Sequence, residues 1–436
     1  MTNRELRLYE LICSPSNVNL MIYIDCKKLC PNHVKNAFRM VKKRHPYFRM
    51  KIETNSESKS LEYVEMETQN ELESIYLDAF ELKNEIELNE WQSRLINFGS
   101  KSRDSTKSTF YLELYSFENK HQLYICVNHS GIDGPGLFQA IRDFSAYLDL
   151  ILEGKKDLEV ESRDFLDVHG NYDHSFDLEE LKKEPIIEKF LEPVQVLHYQ
   201  DETKPFINSK FFQLDELATK NLINNCKTNN STIQAALSTA MMICLINSKE
   251  KLEEKITFVN SCPCNMRSYL KDVSSQDIIC GSSALIWSQK INLANDLVWN
   301  LVKENTEKIK MKLNENHGLK WWLKLKNSIN FQKFSIMSSS MGVVSMNETK
   351  LKNFKIVDLR FLGSAYNVTP GNAGIMTHAF TFLDRFTFNF SYTYPALDEK
   401  WAQIFSNNLN LILRHLANQE SLCTKLQDLL DSLEKY

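Results

Sequence analysis

The spacing of hydrophobic and polar positions predicts strands alternating with helices through the first third of the chain. The apolar run at 20–24 indicates a strand. The segment that begins at Pro31 carries apolar residues at helical spacing and is expected to end before Pro46. Strict alternation over 109–117 predicts a strand with one buried face. The nearly continuous apolar stretch 122–128 predicts a central strand of a sheet.

The rest of the chain has the same mixture of patterns and contains the clearest hairpin. Residues 386–394 place aromatic side chains on one face and small polar ones on the other, and 376–383 precede them across a short turn. Amphipathic helices are expected over 398–417 and 421–434. The sequence therefore predicts an α/β protein in two comparable halves, 1–175 and 208–436, joined by a polar crossover linker at 176–207.

Composition narrows the class of protein. The chain has 436 residues, of which 43% are apolar, so a large core can form. Fifty-two basic and 56 acidic side chains give a net charge of −4, and no long run of one sign indicates a nucleic-acid surface. The longest apolar stretch, 235–246, is too short for a transmembrane segment, and the N-terminus lacks the apolar core of a secretory signal.

Ten cysteines are scattered along the chain without the spacing of a disulfide framework. The close pairs Cys26/Cys30 and Cys262/Cys264 have no matching cysteine or histidine pair at zinc-site distances. We therefore expect buried reduced thiols, no metal site and a cytoplasmic location.

One short segment stands out for its chemistry. Glycine is scarce, with 12 in the chain, yet three of them lie between positions 131 and 136, beside His129 and Asp133. The segment follows the predicted central strand and precedes a predicted helix, and loops on rigid scaffolds often present catalytic side chains. A histidine can take a proton near neutral pH, so His129 is the expected general base.

The other residues of this loop have structural explanations. Gly131 and Gly134 would allow crowded or left-handed backbone. Asp133 is better placed to brace the loop by pairing with an arginine than to act as a second base. It is also a good N-cap for the helix that follows, with Pro135 in the first turn. Capping by Asp133 is compatible with catalysis by His129.

The segment His129-Ser130-Gly131-Ile132-Asp133-Gly134 resembles the HxxxDG signature of the chloramphenicol-acetyltransferase-like superfamily. That superfamily includes alcohol acetyltransferases, polyketide-associated acyltransferases and condensation domains of nonribosomal peptide synthetases. Three further segments are similar to family elements in the same order: 44–49 to "RHPxLR", 261–267 to "vPvNlR" and 339–343 to the "SNxG" strand.

The resemblance implies a fold and a set of roles. The fold would be two chloramphenicol-acetyltransferase-like subdomains in a V, with mixed sheets flanked by helices and an active-site tunnel between them. By the resemblance, His129 is the general base, Asp133 the structural acid and Gly134 the tight turn. Arg49 is the first choice for the arginine that pairs with Asp133, and Arg267 and Arg44 are alternatives.

The activity implied is transfer of an acyl group from acyl-CoA, as a co-substrate, to a hydroxyl or amine of a small-molecule or lipid-like acceptor. The tetrahedral oxyanion would need a hydrogen-bond donor, for which Ser339, Ser340 and Thr377 are candidates. No bound cofactor is expected. Residue 128 is Asn, so the chain lacks the paired histidines of peptide condensation domains.

Two alternatives remain beside the acyl-CoA enzyme. One is a free-standing condensation enzyme whose acyl donor is carried by a separate carrier protein. The other is a non-catalytic relative that binds a ligand or a protein.

Overall fold

A computed structural model describes most of the chain, and the fold is given for the ranges 4–14, 16–91, 93–95, 104–155, 158–166, 168, 177–184, 186–191, 206–327, 333–346, 351–365, 375–394, 397–418 and 423–436. Across those ranges, no helix combines the length and apolarity that a bilayer crossing requires.

The chain forms two compact units, each assembled from three segments. Unit 1 comprises Met1–Asp173, Arg267–Gly281 and Val344–Asn367. Unit 2 comprises His174–Met266, Ser282–Val343 and Val368–Tyr436. The units therefore differ from two consecutive halves, because two late segments of the chain belong to unit 1. Part of the predicted crossover linker, 192–205, lies outside the described residues.

The strands are numbered in chain order: β1 (Arg4–Glu5), β2 (Ser16–Asp25), β3 (Met50–Thr54), β4 (Leu61–Glu65), β5 (Leu77–Glu81), β6 (Phe110–Phe117), β7 (Lys120–Asn128), β8 (Phe206–Gln213), β9 (Lys255–Asn265), β10 (Ser282–Asn292), β11 (Ile336–Val343), β12 (Lys355–Ala365), β13 (Met376–Phe382) and β14 (Arg385–Tyr394).

The helices are α1 (Leu8–Cys13), α2 (Pro31–Arg44), α3 (Gln69–Glu73), α4 (Glu85–Asn89), α5 (Gly134–Leu152), α6 (Leu178–Lys183), α7 (Glu216–Thr228), α8 (Ile233–Asn247), α9 (Val298–Asn314), α10 (His317–Lys326), α11 (Glu399–Leu416) and α12 (Leu426–Ser432).

Unit 1 is built on a five-stranded mixed sheet of order β12-β2-β7-β6-β5, beside a three-stranded sheet of order β1-β4-β3. The central strand β7 pairs antiparallel with β2 and β6, and β5 runs parallel to β6. The late strand β12 completes this sheet by pairing with β2. Helices α2 and α5 pack against each other in this unit. The sheet therefore presents the end of β7 at the start of α5.

Unit 2 has a six-stranded mixed sheet of order β10-β9-β11-β13-β14-β8. Helix α8 packs against β11 and β9 and is flanked by α9 and α11. It is apolar around most of its circumference and is buried from Ala235 to Asn247, as expected of a helix enclosed on all sides. The predicted hairpin is β13–β14, and the phenylalanines of β14 join the same core.

The predicted α/β class, with mixed sheets flanked by helices, is confirmed in both units. Helix α2 starts at Pro31 and ends before Pro46, as the pattern required. The membership of β12 in the unit 1 sheet has no local signal in the sequence, because it depends on pairing between segments far apart along the chain.

Candidate active site

The candidate site lies in unit 1, where β7 ends and α5 begins. Strand β7 ends at Asn128, and the backbone N–H of His129 donates to the carbonyl of Ser16 at 2.9 Å, which extends the pairing with β2. Asp133 is the N-cap of α5, and its carboxylate accepts the backbone N–H of Gly136 at 2.9 Å. His129 is thus held between a buried strand and a capped helix.

The backbone of the loop fixes the imidazole of His129. Its Nδ1 lies 2.6 Å from the carbonyl oxygen of Ile132. A carbonyl oxygen only accepts, so Nδ1 carries the ring proton and donates it. In the neutral ring, Nε2 then has the free lone pair. The loop therefore holds His129 in the tautomer that a base acting through Nε2 needs.

Asp133 forms a buried ion pair with Arg267. Its Oδ2 accepts Nη1 of Arg267 at 2.7 Å, and its Oδ1 accepts Nη2 at 2.9 Å, which is a two-bond arrangement. Asp133 is 2% exposed and Arg267 is 7% exposed. Burial lowers the pKa of Arg267, but the charge and hydrogen bonds of Asp133 outweigh it and raise that pKa above its usual value. The guanidinium of Arg267 is therefore charged.

Arg267, and not Arg49, is the partner of Asp133. Arg49, the first choice from the sequence, binds Glu65 at 3.0 Å and the carbonyl of Lys43 at 2.8 Å. Arg44, the other alternative, lies 3.3 Å from Asp143. Both belong to the segment 44–49, and their side chains pair with Asp143 and Glu65 in place of Asp133.

The segment that carries Arg267 is tied to the loop at several points. The N–H of Gly281 donates to Oδ2 of Asp133 at 3.1 Å, and the N–H of Asp133 donates to the carbonyl of Ile279 at 3.1 Å. A second ion pair, between Arg163 and Asp277 at 2.6 Å, holds the same segment. The carboxylate of Asp133 therefore accepts four hydrogen bonds and joins the start of α5 to the segment 267–281.

Tyr47 packs against the loop and explains one of its glycines. A Cβ on Gly131 would lie 2.1–2.7 Å from three ring atoms of Tyr47, a distance that only glycine permits. The Tyr47 hydroxyl donates to the carbonyl of Asn128 at 2.7 Å. Crowding, not a left-handed backbone, therefore requires Gly131.

The tight turn implied for Gly134 has no left-handed backbone. Gly134 is the first residue of α5, and positive φ among the described glycines is confined to Gly154 and Gly342. The turn into the helix is made at the extended N-cap residue Asp133.

Two cysteines lie beside His129. The Sγ of Cys280 is 3.9 Å from Nδ1 of His129, and the ligand atoms of Cys13, His129 and Cys280 all lie within 4.8 Å of one another. Hydrogen bonding with Cys280 and the charge of His129 outweigh burial and lower the pKa of Cys13 to about 7. Burial raises the pKa of Cys280. Neither thiol was marked by the sequence, since no spacing pattern connects them.

The predicted oxyanion donors lie in unit 2. Ser339 and Ser340 are half-buried on β11, and the N–H of Ser340 donates to the side-chain oxygen of Gln234 at 2.7 Å. Thr377 is on β13, next to β11. Their role stays a prediction.

Unit 2 contains a cavity of about 320 Å³ beside α10, lined by both charges. Lys324 is 9% exposed and pairs with Glu184 at 2.5 Å, and Lys320 lies 3.7 Å from the same carboxylate. Burial raises the pKa of Glu184, but Lys324 and Lys320 outweigh it and lower that pKa below its usual value. Much of the positive charge of this helix is therefore already paired within the unit.

This chain is similar to known proteins in three-dimensional structure. No protein-family model matches the sequence, and no curated protein matches it.

Many solved structures match over nearly the whole chain. Polyketide synthase associated protein 5 from Mycobacterium tuberculosis has a TM-score of 0.69 at 12% identity, covering 96% of this chain and 98% of that one. Trichothecene 15-O-acetyltransferase from Fusarium sporotrichioides has a TM-score of 0.67 at 12% identity, covering 95% of each chain. The epimerization domain from the third module of tyrocidine synthetase B has a TM-score of 0.68 at 14% identity, covering 97% and 99%.

These similarities show that the chain has the chloramphenicol-acetyltransferase-like fold, as the resemblance of its motifs implied. The matched proteins carry out different reactions, so the fold alone does not fix the chemistry.

Proposed function

We propose that the chain is an acyltransferase that moves an acyl group from acyl-CoA to a hydroxyl or amine of a small-molecule or lipid-like acceptor, with His129 as general base. The observation that carries the proposal is the hydrogen bond from Nδ1 of His129 to the carbonyl of Ile132, at 2.6 Å. It leaves the Nε2 lone pair to take a proton. An acetyltransferase among the structures of this fold supports the same reaction class.

The reaction proceeds without a covalent enzyme intermediate. Nε2 of His129 takes the proton of the acceptor while the acceptor oxygen or nitrogen attacks the thioester carbonyl. The tetrahedral intermediate collapses, the carbon–sulfur bond breaks, and the leaving thiolate takes the proton back from Nε2. The imidazole thus ends each cycle in the state in which it began, and the oxyanion of the intermediate needs a hydrogen-bond donor.

Asp133 serves as a positioning residue in this mechanism. Its four hydrogen bonds hold the backbone of the loop and of the Arg267 segment, and the loop in turn supplies the Ile132 carbonyl that orients His129. The ion pair acts on the rate through the position of the imidazole. The cytoplasm is the proposed location, because the cysteines lack the spacing of a disulfide framework.

The test is release of free thiol from acetyl-, butyryl- and palmitoyl-CoA in the presence of a mixed panel of alcohols and amines. Wild type is compared with His129→Ala and with His33→Ala, a half-buried histidine on α2 that serves as the matched control. Because general-base catalysis contributes about 10²–10⁴-fold, His129→Ala is expected to lose about that factor, and His33→Ala to retain the wild-type rate.

Acceptor-dependent release that survives His129→Ala would contradict the role of this residue. If no acyl-CoA releases thiol but an acylated carrier protein donates its acyl group, the donor is the carrier protein. The chain would then be a free-standing condensation enzyme. No transfer from either donor would favour a non-catalytic binding protein.

A further inference from the structure

The thiols of Cys13 and Cys280, which lie beside His129, are unused by the proposed mechanism. We infer that these three side chains form a binding site for a thiophilic divalent metal such as Zn²⁺, and that the metal switches off the base. The inference of inhibition rests on the proposed function, whereas the metal site itself does not.

The set of ligands fits such a metal. Two thiolates and one imidazole are donors that zinc prefers, and three protein ligands leave a fourth position open. In a tetrahedral site with Zn–S of about 2.3 Å and Zn–N of about 2.0 Å, neighbouring ligand atoms are about 3.5–3.8 Å apart. The Sγ of Cys280 is 3.9 Å from Nδ1 of His129, and the three ligand atoms all lie within 4.8 Å. Binding therefore requires the ligand atoms to close by about 1 Å or less, and the Ile132 carbonyl, which now accepts the Nδ1 proton at 2.6 Å, to turn away from the metal.

The backbone beside each ligand is already anchored within unit 1. Cys13 ends α1, and the next N–H, of Ser14, donates to Glu10 at 2.7 Å. His129 is bound through its own N–H to Ser16. Cys280 lies between Ile279 and Gly281, both of which bind Asp133. Binding would thus order few residues that are not ordered already.

A route to the metal exists at the histidine. Cys280 is 2% exposed and Cys13 is 8% exposed, whereas His129 is half-buried. An ion that binds Nδ1 of His129 is close to both sulfurs, because the three ligand atoms all lie within 4.8 Å of one another. The fourth position would be taken by water.

Coordination changes the tautomer of the base. The Nδ1 atom that faces Cys280 now carries the ring proton and donates it to Ile132. A metal needs the lone pair of Nδ1, so the proton of the neutral ring must move to Nε2. The two thiols lose one proton each to solvent, and the imidazole keeps its single proton at the other nitrogen. Nε2 then has no free lone pair. The imidazole can no longer accept a proton, although it stays in its position in the loop.

The first experiment measures binding of Co²⁺ alone, to the full chain kept reduced with a phosphine. We expect one equivalent per chain, with d–d absorption of a tetrahedral site and sulfur-to-cobalt charge transfer, both abolished by Zn²⁺. Even loss of an outer-shell partner weakens metal binding by about 10–100-fold. Cys13→Ser and Cys280→Ser are therefore expected to weaken it at least tenfold, while the exposed Cys423→Ser serves as the control that leaves it unchanged.

Circular dichroism of the serine variants keeps the test interpretable, since serine is nearly isosteric with cysteine and the fold is expected to persist. The inference is overturned if wild type shows no tetrahedral cobalt spectrum. It is also overturned if folded Cys13→Ser and Cys280→Ser bind as tightly as wild type, which would place the metal on other cysteines.

The second experiment measures inhibition of acyl transfer by Zn²⁺ and its reversal by a chelator. We expect zinc to inhibit wild type and Cys423→Ser at the concentration that displaces Co²⁺, and Cys13→Ser to need at least tenfold more. Metal binding without inhibition would overturn the claim that the metal switches off the base, but it would leave the metal site itself in place. Absence of any transfer would contradict the proposed function alone, because the cobalt spectrum does not depend on activity.

Discussion

Unit 1 and unit 2 each contain a long helix that follows a buried strand and begins at an aspartate. In unit 1, β7 leads to α5 with Asp133 as the N-cap, and in unit 2, β14 leads to α11 with Asp398 as the N-cap. The two caps are equivalent: Asp133 accepts the N–H of Gly136 at 2.9 Å, and Asp398 accepts the N–H of Trp401 at 2.9 Å.

The two aspartates differ in everything beyond the cap. Asp398 is exposed, and its cap hydrogen bond faces solvent. Asp133 is buried and adds three hydrogen bonds, two from Arg267 and one from Gly281. Helix capping therefore does not distinguish a structural connection from a candidate active site. The distinction comes from the segment 267–281, which buries the carboxylate of Asp133 and pairs it with Arg267.

The largest expected effect comes from removal of the buried arginine. Arg267→Met leaves the carboxylate of Asp133 buried without its partner, which costs about 3–5 kcal/mol of unfolding free energy. Arg49→Met removes a partly exposed pair with Glu65 and is expected to cost about 1 kcal/mol or less. Urea unfolding of both variants measures the difference. An equal loss, or a larger one for Arg49→Met, would contradict the assignment of Arg267.

The carboxylates themselves provide the next test. Asparagine caps helices as well as aspartate does, so Asp→Asn removes the charge and keeps the cap. Asp398→Asn is expected to change the unfolding free energy by about 0.5 kcal/mol or less. Asp133→Asn leaves Arg267 charged and buried, and we expect a loss of about 3 kcal/mol. Thermal and urea unfolding of the two variants decide the matter, and similar losses would mean that capping dominates at both positions.

The smallest expected effect concerns Gly131. The Tyr47 ring crowds this residue in the connection between β7 and α5, which is a feature beyond the helix cap. Gly131→Ala is expected to cost about 1–3 kcal/mol, because the new methyl group meets a buried ring. The same substitution made in Tyr47→Leu should cost less by at least about 0.5 kcal/mol, since the obstacle is gone. A cost that is unchanged in that background would mean that the ring is not the cause.

The sequence predicts local features of this molecule well. The boundaries of α2 follow from Pro31 and Pro46, and the β13–β14 hairpin follows from strict alternation of aromatic and polar residues. His129 and Asp133 could be identified because scarce glycines gather around them between a strand and a helix. Each of these signals is contained within about twenty residues of chain.

Features that depend on distant segments could not be found in this way. Arg49 and Arg267 both lie in segments that resemble family elements. The sequence around each arginine does not indicate which of them pairs with Asp133. The cysteines beside His129 come from the end of α1 and from the segment after β9, so no spacing pattern connects them. The pairing of β12 with β2 is of the same kind. In each case the tertiary contact itself is the missing information.

The late arrival of β12 sets the order in which unit 1 can be finished during synthesis. Arg267 emerges 134 residues after Asp133, which at about 5–20 residues per second leaves the carboxylate unpaired for on the order of ten seconds. The side chain of Asn19 on β2 waits longer still, since it donates to Leu362, 343 positions later. Through that interval the outer edge of β2 is an apolar strand without a neighbour, the kind of edge that recruits other chains. The ion pair of the candidate site can therefore form once residue 267 has emerged, whereas the edge of β2 stays open until β12 arrives in the last quarter of the chain.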